Sequence, residues 1–207
     1  MVLKNKKLWL GFAFTILVLF IYRLGYFVQL PYVRFENVQA LYSSGESMFG
    51  FLDIFSGGAL SNFSVVALGV TPFITASIVV QLLQMDIVPA IKEWSEEGEE
   101  GKQKINTLTK YLAIGLGFVQ ALTIVLGVSV SYNDIFFGVG TPTGPMTYIY
   151  LAIVMTAGTA FVLWLADLIT AKGIGNGTSL MIVVGVAIET YKQIKTASQS
   201  QEYHGFM

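Results

Sequence analysis

The sequence predicts an all-α polytopic membrane protein with five transmembrane helices, the second of them broken. Three observations predict that class. Of 207 residues, 54% belong to the apolar set that leaves out glycine, and the 21 glycines lift the apolar share to about 64%, against roughly 45–50% in soluble domains. Charged residues make up only 12%, against about a quarter in soluble domains, and mean hydropathy is +0.66. The apolar residues are also gathered into long runs, four continuous and one interrupted. A soluble domain of this length has too little polar surface to cover them.

The first run, Leu8 to Leu30, contains one charge, Arg23, and follows Lys4, Lys6 and Lys7. That basic start resembles a signal peptide, but no small-x-small cleavage site follows, because the chain reads Tyr22-Arg23-Leu24. A retained spanning helix is expected. The second region is broken: Phe51 to Val66 contains Gly57-Gly58, then Gly69 and Pro72 intervene, and a helix resumes over Phe73 to Val88. The third span is expected from about Leu112 to Val130, the fourth from Met146 to Thr170 and the fifth from Thr178 to Tyr191. The fifth is short, since about 17–25 residues are needed to cross, so it must borrow turns on both sides. This divides the chain into a cytoplasmic N-terminus (1–7), one five-helix membrane domain (8–195) and a polar tail (196–207), with the broken region over about 51–66 and a cytoplasmic loop over about 89–107.

Charge distribution sets the expected orientation. Lys92 to Lys110 holds nine of the 25 charged residues, whereas Ser131 to Pro145 carries no Lys or Arg and is rich in Gly, Pro and Thr. With the N-terminus inside, the inner side holds Lys4, Lys6, Lys7, Lys92, Lys102, Lys104, Lys110 and Lys172, against Arg34, Lys192 and Lys195 outside. The positive-inside rule therefore places the N-terminus in the cytoplasm and the C-terminus outside.

Composition also excludes chemistries. No cysteine means no disulfide, thiolate metal site or cysteine nucleophile. The single histidine, His204, lies in the polar tail and cannot complete a buried triad or a His-rich zinc site. A net charge of −1 gives no electrostatic case for nucleic acid. The Gly173-Ile174-Gly175-Asn176-Gly177 loop lacks the Lys-Ser/Thr of a phosphate loop and reads as a tight turn letting two helices approach. Glu93, Glu96, Glu97, Glu99 and Glu100 read as a solvated face rather than a metal site. No cofactor is expected.

The broken span points to a functional site, because irregular backbone at membrane depth is tolerated where it lines protein or a hydrated cavity. A kinked helix whose freed groups are met by Ser61, Ser64 or Thr71 fits the same residues. On the resumed helix Val70, Ile74, Ser77 and Gln81 share one face, apolar at one end and polar at the other. A water-filled funnel closing on an apolar constriction has that pattern, and so does helix packing with Gln81 bonded to a neighbour. Arg23, Asp167 and Glu189 each lie near an expected helix end, where side chains reach the headgroups, and are expected to do so.

At these motifs the sequence resembles the SecY family, the central subunit of the bacterial protein-conducting channel. The matching stretches are Tyr22-Arg23-Leu24-Gly25, Phe55-Ser56-Gly57-Gly58-Ala59-Leu60-Ser61, Ala67-Leu68-Gly69-Val70-Thr71-Pro72 and Ile78 to Asp86, the last resembling versions from Gram-positive bacteria. Gly98 to Asn106, Trp164-Leu165 and the Gly-Ile-Gly-Asn-Gly loop continue the series. The resemblance implies half of an inverted-repeat channel in which Phe55, Gly57, Gly58, Ala59 and Leu60 form a plug-like half-helix. It implies an apolar pore ring of Val70, Ile74, Thr178 and Ile182, with Thr75, Ser77 and Gln81 as polar gate and funnel residues. Lys102, Lys104 and Lys172 become the basic residues of the cytoplasmic loops. Thr178 departs from the family's apolar ring, which implies a leakier seal.

The family has ten spans in two halves, and from Thr178 onward this chain resembles the family's tenth helix and tail rather than its fifth. The matching residues are Thr178 to Ala187, Glu189-Thr190, Lys192-Gln193-Ile194 and a final Tyr203-His204-Gly205-Phe206-Met207, and they make the end look natural. The function implied is protein translocation across, or insertion into, the bacterial cell membrane by a half-length channel subunit. Its implied partners are lipid, signal-sequence-bearing polypeptides, a second copy or another channel subunit to complete pore and lateral gate, SecE/SecG-like subunits, and SecA or the ribosome. No enzymatic activity is expected, since the family draws its energy from a motor or ribosome. Two alternatives share the residues: a small ion or solute channel or transporter using Thr71, Thr75 and Gln81, or an inactive internal-deletion form.

Overall fold

A computed structural model describes residues 6–33, 56–131 and 145–204. Six helical elements follow one another. α1 runs over Lys6–Gly25 and α2 over Thr71–Leu82, which continues through a π-turn, Leu83–Ile87, to a short α3 at Pro89–Glu96. α4 spans Glu99–Ser131, α5 Pro145–Lys172 and α6 Gly177–His204. The stops and starts follow backbone chemistry. Pro72 and Pro89 sit in the first turns of α2 and α3, where a missing N–H costs nothing. Gly98, at φ +79°, turns the chain between α3 and α4.

The helix expected over Phe73 to Val88 is α2 with its π-turn, and beyond the extended Val88 the chain turns by 95° into α3. Only Ile91 of α3 is buried, which suits a helix lying at an interface rather than crossing it. α4 is 33 residues, about 50 Å at 1.5 Å per residue, longer than a ~30 Å hydrocarbon core. Its charged first turns therefore project from the apolar span, which is why it begins well before Leu112. Among the described residues three helices are long and apolar enough to cross a membrane, Lys6–Gly25, Glu99–Ser129 and Pro145–Lys172, or up to four with the bent pair Thr71–Met85 plus Pro89–Glu96. The fifth expected span lies within α6, where Glu189, Lys192 and Lys195 interrupt the apolar run.

From Gly57 to Val70 the described residues are a sequence of turns threaded through the bundle. They separate two apolar cores. On one side Leu60, Phe63, Ala67 and Leu68 pack with Ala121, Val125 and Val128 of α4 and Leu151, Ala152 and Met155 of α5. On the other, Ala59, Val66 and Val70 pack with Val18, Tyr22 and Tyr26, with Val162, Leu165, Ala166 and Ile169 of α5, and with Met181 of α6. In lipid these clusters hold by close packing rather than by water exclusion.

Irregular backbone at this depth requires internal partners. Leu30 N donates to Phe63 O and Val65 N to Val28 O, each at 2.8 Å, so the chain after α1 forms an antiparallel bridge, Gln29 to Ser64. Ser64 N donates to Ala59 O at 3.1 Å and Leu60 N to Ser56 Oγ at 3.1 Å. The freed groups are met by backbone and by Ser56. Ser61 adds a bond from its hydroxyl to Gly58 O at 2.8 Å, but the Ser64 hydroxyl oxygen has no hydrogen-bond partner among the described residues.

Candidate functional site

The threaded segment enters on two glycines that only glycine can serve. Gly57 and Gly58 have φ +66° and +80°, the left-handed region where a Cβ is strained. A Cβ on Gly57 would stand 3.0 Å from Gly185 Cα, so the two backbones touch across α6. Ala59 and Leu60 follow, both almost fully buried, one in each apolar core. Phe55, the remaining member of the expected plug, lies outside the described residues, as do residues 51–54.

The four expected ring residues come from α2 and α6. Val70, just before α2, is 1% exposed beside Ala59, and Ile74 and Ile182 pack on the same cluster. Thr178 is half-buried one turn before Ile182, on the same face of α6. Three branched side chains thus meet the glycine-led segment in a single apolar cluster, and the threonine stands at its border.

The polar residues separate. Ser77 and Gln81 line a cavity of about 410 Å³ under the α2–α3 bend, with Gln84, Ser95, Lys102 and Asn106. Thr75 turns its hydroxyl back to Thr71 O at 3.2 Å. Thr71 lines a different, largely apolar cavity of about 260 Å³ between the threaded segment and α4. Thr71 and Gln81, two of the residues expected to hold a solute, therefore face separate spaces.

The loop lysines are solvated. Lys102 pairs with Glu99 at 2.9 Å and Lys104 with Glu97 at 2.6 Å, and Lys172 is exposed at the end of α5. The Lys102 ammonium holds the Glu99 carboxyl below its ordinary range by hydrogen bond and then charge, and Glu99 raises Lys102 for the same reasons. The turn after α5 does what its glycines suggest. Thr15 of α1 accepts from Ile174 N at 3.1 Å, Thr170 accepts from Gly177 N at 2.9 Å, and a Cβ on Gly177 would strike Ala166 O.

The intramembrane charges do not simply reach outward. Arg23 Nη1 donates to Gly57 O at 3.1 Å, Glu189 is 8% exposed, and Asp167 pairs with Lys110 at 2.8 Å between α4 and α5. Their positions near expected helix ends suggested snorkelling, but the turns at 26–33 and 56–70 bring buried backbone to that depth. The opposite signs of Arg23 and Glu189 were the available signal. Nothing in local sequence marked Tyr26, Gly158 or Gly185.

The SecY family model matches residues 64–206, running through α6. The protein translocase subunit SecY of Halalkalibacterium halodurans is 48% identical over 174 residues, 84% of this chain and 39% of the relative. That of Bacillus subtilis is 44% identical over 189 residues, 91% of this chain and 42% of the relative. The chain thus spans about two fifths of the length of these curated relatives. Among solved structures, Sec61 in a canine ribosome–channel complex from the endoplasmic reticulum aligns with TM-score 0.63 over 89% of this chain and 37% of its own, at 21% identity. A structure described as that of a protein conducting channel aligns with the same TM-score and coverage. At that identity the likeness establishes the fold.

Proposed function

The chain belongs to the SecY family, and from that membership we propose that it serves protein translocation across, or insertion into, the bacterial cell membrane. It acts as a multi-pass channel subunit and not as an enzyme; a motor or ribosome supplies the energy. One observation carries the reading. A glycine-led stretch of irregular backbone, buried over residues 57–60, rests on branched side chains from α2 and α6. An idle channel needs a closure of that kind, and a packed structural core does not.

In this reading residues 57–60, with Phe55, are the plug, and Val70, Ile74 and Ile182 with Thr178 are this chain's share of the pore ring. Branched apolar side chains close loosely around an extended polypeptide while denying ions a polar path. Ser77 and Gln81, with Lys102 at the rim, line the vestibule, and Thr75 lies between vestibule and ring. Lys104 and Lys172 face the cytoplasm, where SecA or the ribosome would dock. The N-terminus lies inside and the C-terminus outside, across five spans.

The remainder of pore and lateral gate comes from a second copy or another channel subunit, SecE- and SecG-like chains included. Substrates are signal-sequence-bearing polypeptides, and lipid covers α1, whose Trp9, Leu10, Phe12, Ile16, Leu17 and Phe20 are exposed. The test uses the absence of native cysteine. Single cysteines at Ile74 and Ile182 are crosslinked in native membranes carrying a stalled secretory chain. Both sites should capture that chain; capture at neither overturns the reading.

A further inference from the structure

The plug and ring leave four side chains without a role, and they converge on the glycine pair. From α1, Arg23 donates to Gly57 O at 3.1 Å, and its guanidinium lies 4.0 Å over the Tyr26 ring. From α6, Lys192 donates to the Tyr26 hydroxyl at 2.7 Å and lies 4.9 Å over the same ring. Lys192 also stands 3.6 Å from Glu189 Oε2. That carboxylate oxygen is buried, accepts no hydrogen bond among the described residues, and occupies the space a Cβ on Gly58 would need.

Arg23 and Glu189 therefore bear on the seated segment with opposite sign. Arg23 gains a charge-assisted hydrogen bond from Gly57. Glu189 is stripped of water by Gly58, with only a 3.6 Å ammonium in return, which is costly for a buried carboxylate. If residues 57–58 withdraw, Arg23 loses its carbonyl, and Glu189 gains water or the released guanidinium. We propose that Arg23 and Glu189 form a two-position latch on the glycine pair, Arg23 holding the segment seated and Glu189 favouring its release, with Tyr26 and Lys192 positioning both.

The inference rests on the reading of 57–60 as a closure, and two readouts separate them. Asn62, half-buried beside the segment, is changed to cysteine in the otherwise cysteine-free chain. Reaction with a water-soluble maleimide in proteoliposomes reports unseating, and ion conductance of the same preparations reports pore closure. Arg23→Gln should speed labelling at least tenfold, and Glu189→Gln should slow it about threefold or more. Arg23→Lys, which keeps charge but loses the planar fork, should fall between wild type and Arg23→Gln and serves if the glutamine variant does not fold. Lys110→Met, which breaks a distant ion pair between α4 and α5, should leave the rate unchanged. Equal acceleration by Arg23→Gln and Glu189→Gln, acceleration by Lys110→Met, or unchanged rates in all variants would each overturn the latch. Rates that shift as expected while conductance stays constant would uphold the latch and remove the plug reading.

Discussion

Gly158 on α5 shows how much rests on single atoms. A Cβ there would overlap Val65 O, so this glycine lets the threaded backbone lie directly on the helix. Gly158→Ala should destabilise the protein by about 1–3 kcal/mol, the usual cost of overpacking, seen as a lower Tm in detergent. Thr15→Val removes the acceptor for Ile174 N and should cost about 1–2 kcal/mol, measured the same way. At the ring, Thr178→Ile extends the apolar surface beside Ile182 and should lower resting ion conductance several-fold; an unchanged conductance would remove the leaky-seal expectation. Val70 and Ile74 were legible as one helix face by spacing, whereas Ile182 entered only through the resemblance to the family. Gly158 was not legible, because a glycine in an apolar helix looks the same whether it faces lipid or a carbonyl.

Helices were legible in proportion to their apolarity. α1 and α5 lie close to the expected runs, since a continuous apolar stretch has few alternatives in a membrane. α4 extends far beyond its apolar part, because a solvated helix needs no apolar run to continue. At its start, the depressed Glu99 carboxyl contributes stability above its unfolded pKa, lost as pH falls through the lower folded value. Both partners are fully exposed, so the effect is confined to that turn. Lys102→Gln should return Glu99 to ordinary titration, read by carboxyl carbon NMR, without moving Tm. The Lys110–Asp167 pair is also partly solvated, at 31% and 48% side-chain exposure, so Asp167→Asn should cost less than about 1 kcal/mol. The bend between α2 and α3 was not foreseen: Pro89 marks a boundary, but the angle depends on what α3 packs against.

For the whole molecule, topology is read by cysteine chemistry, since the chain has no native cysteine. Single cysteines near Lys6 and after Ser198 should label from opposite sides of the membrane. Labelling of both from one side would rule out five spans. Composition and run length settled the membrane class and the approximate site of each long helix, because burying charge in lipid is costly at any register. Motifs read along the chain settled the family. The path of residues 56–70, the meeting of Val70, Ile74 and Ile182, and the convergence of Arg23, Glu189 and Lys192 on two glycines came from three-dimensional packing. Those features depend on backbone partners supplied by residues far away in the chain, such as Val28 for Val65 and α6 for Gly57, and no local pattern encodes such distant pairings.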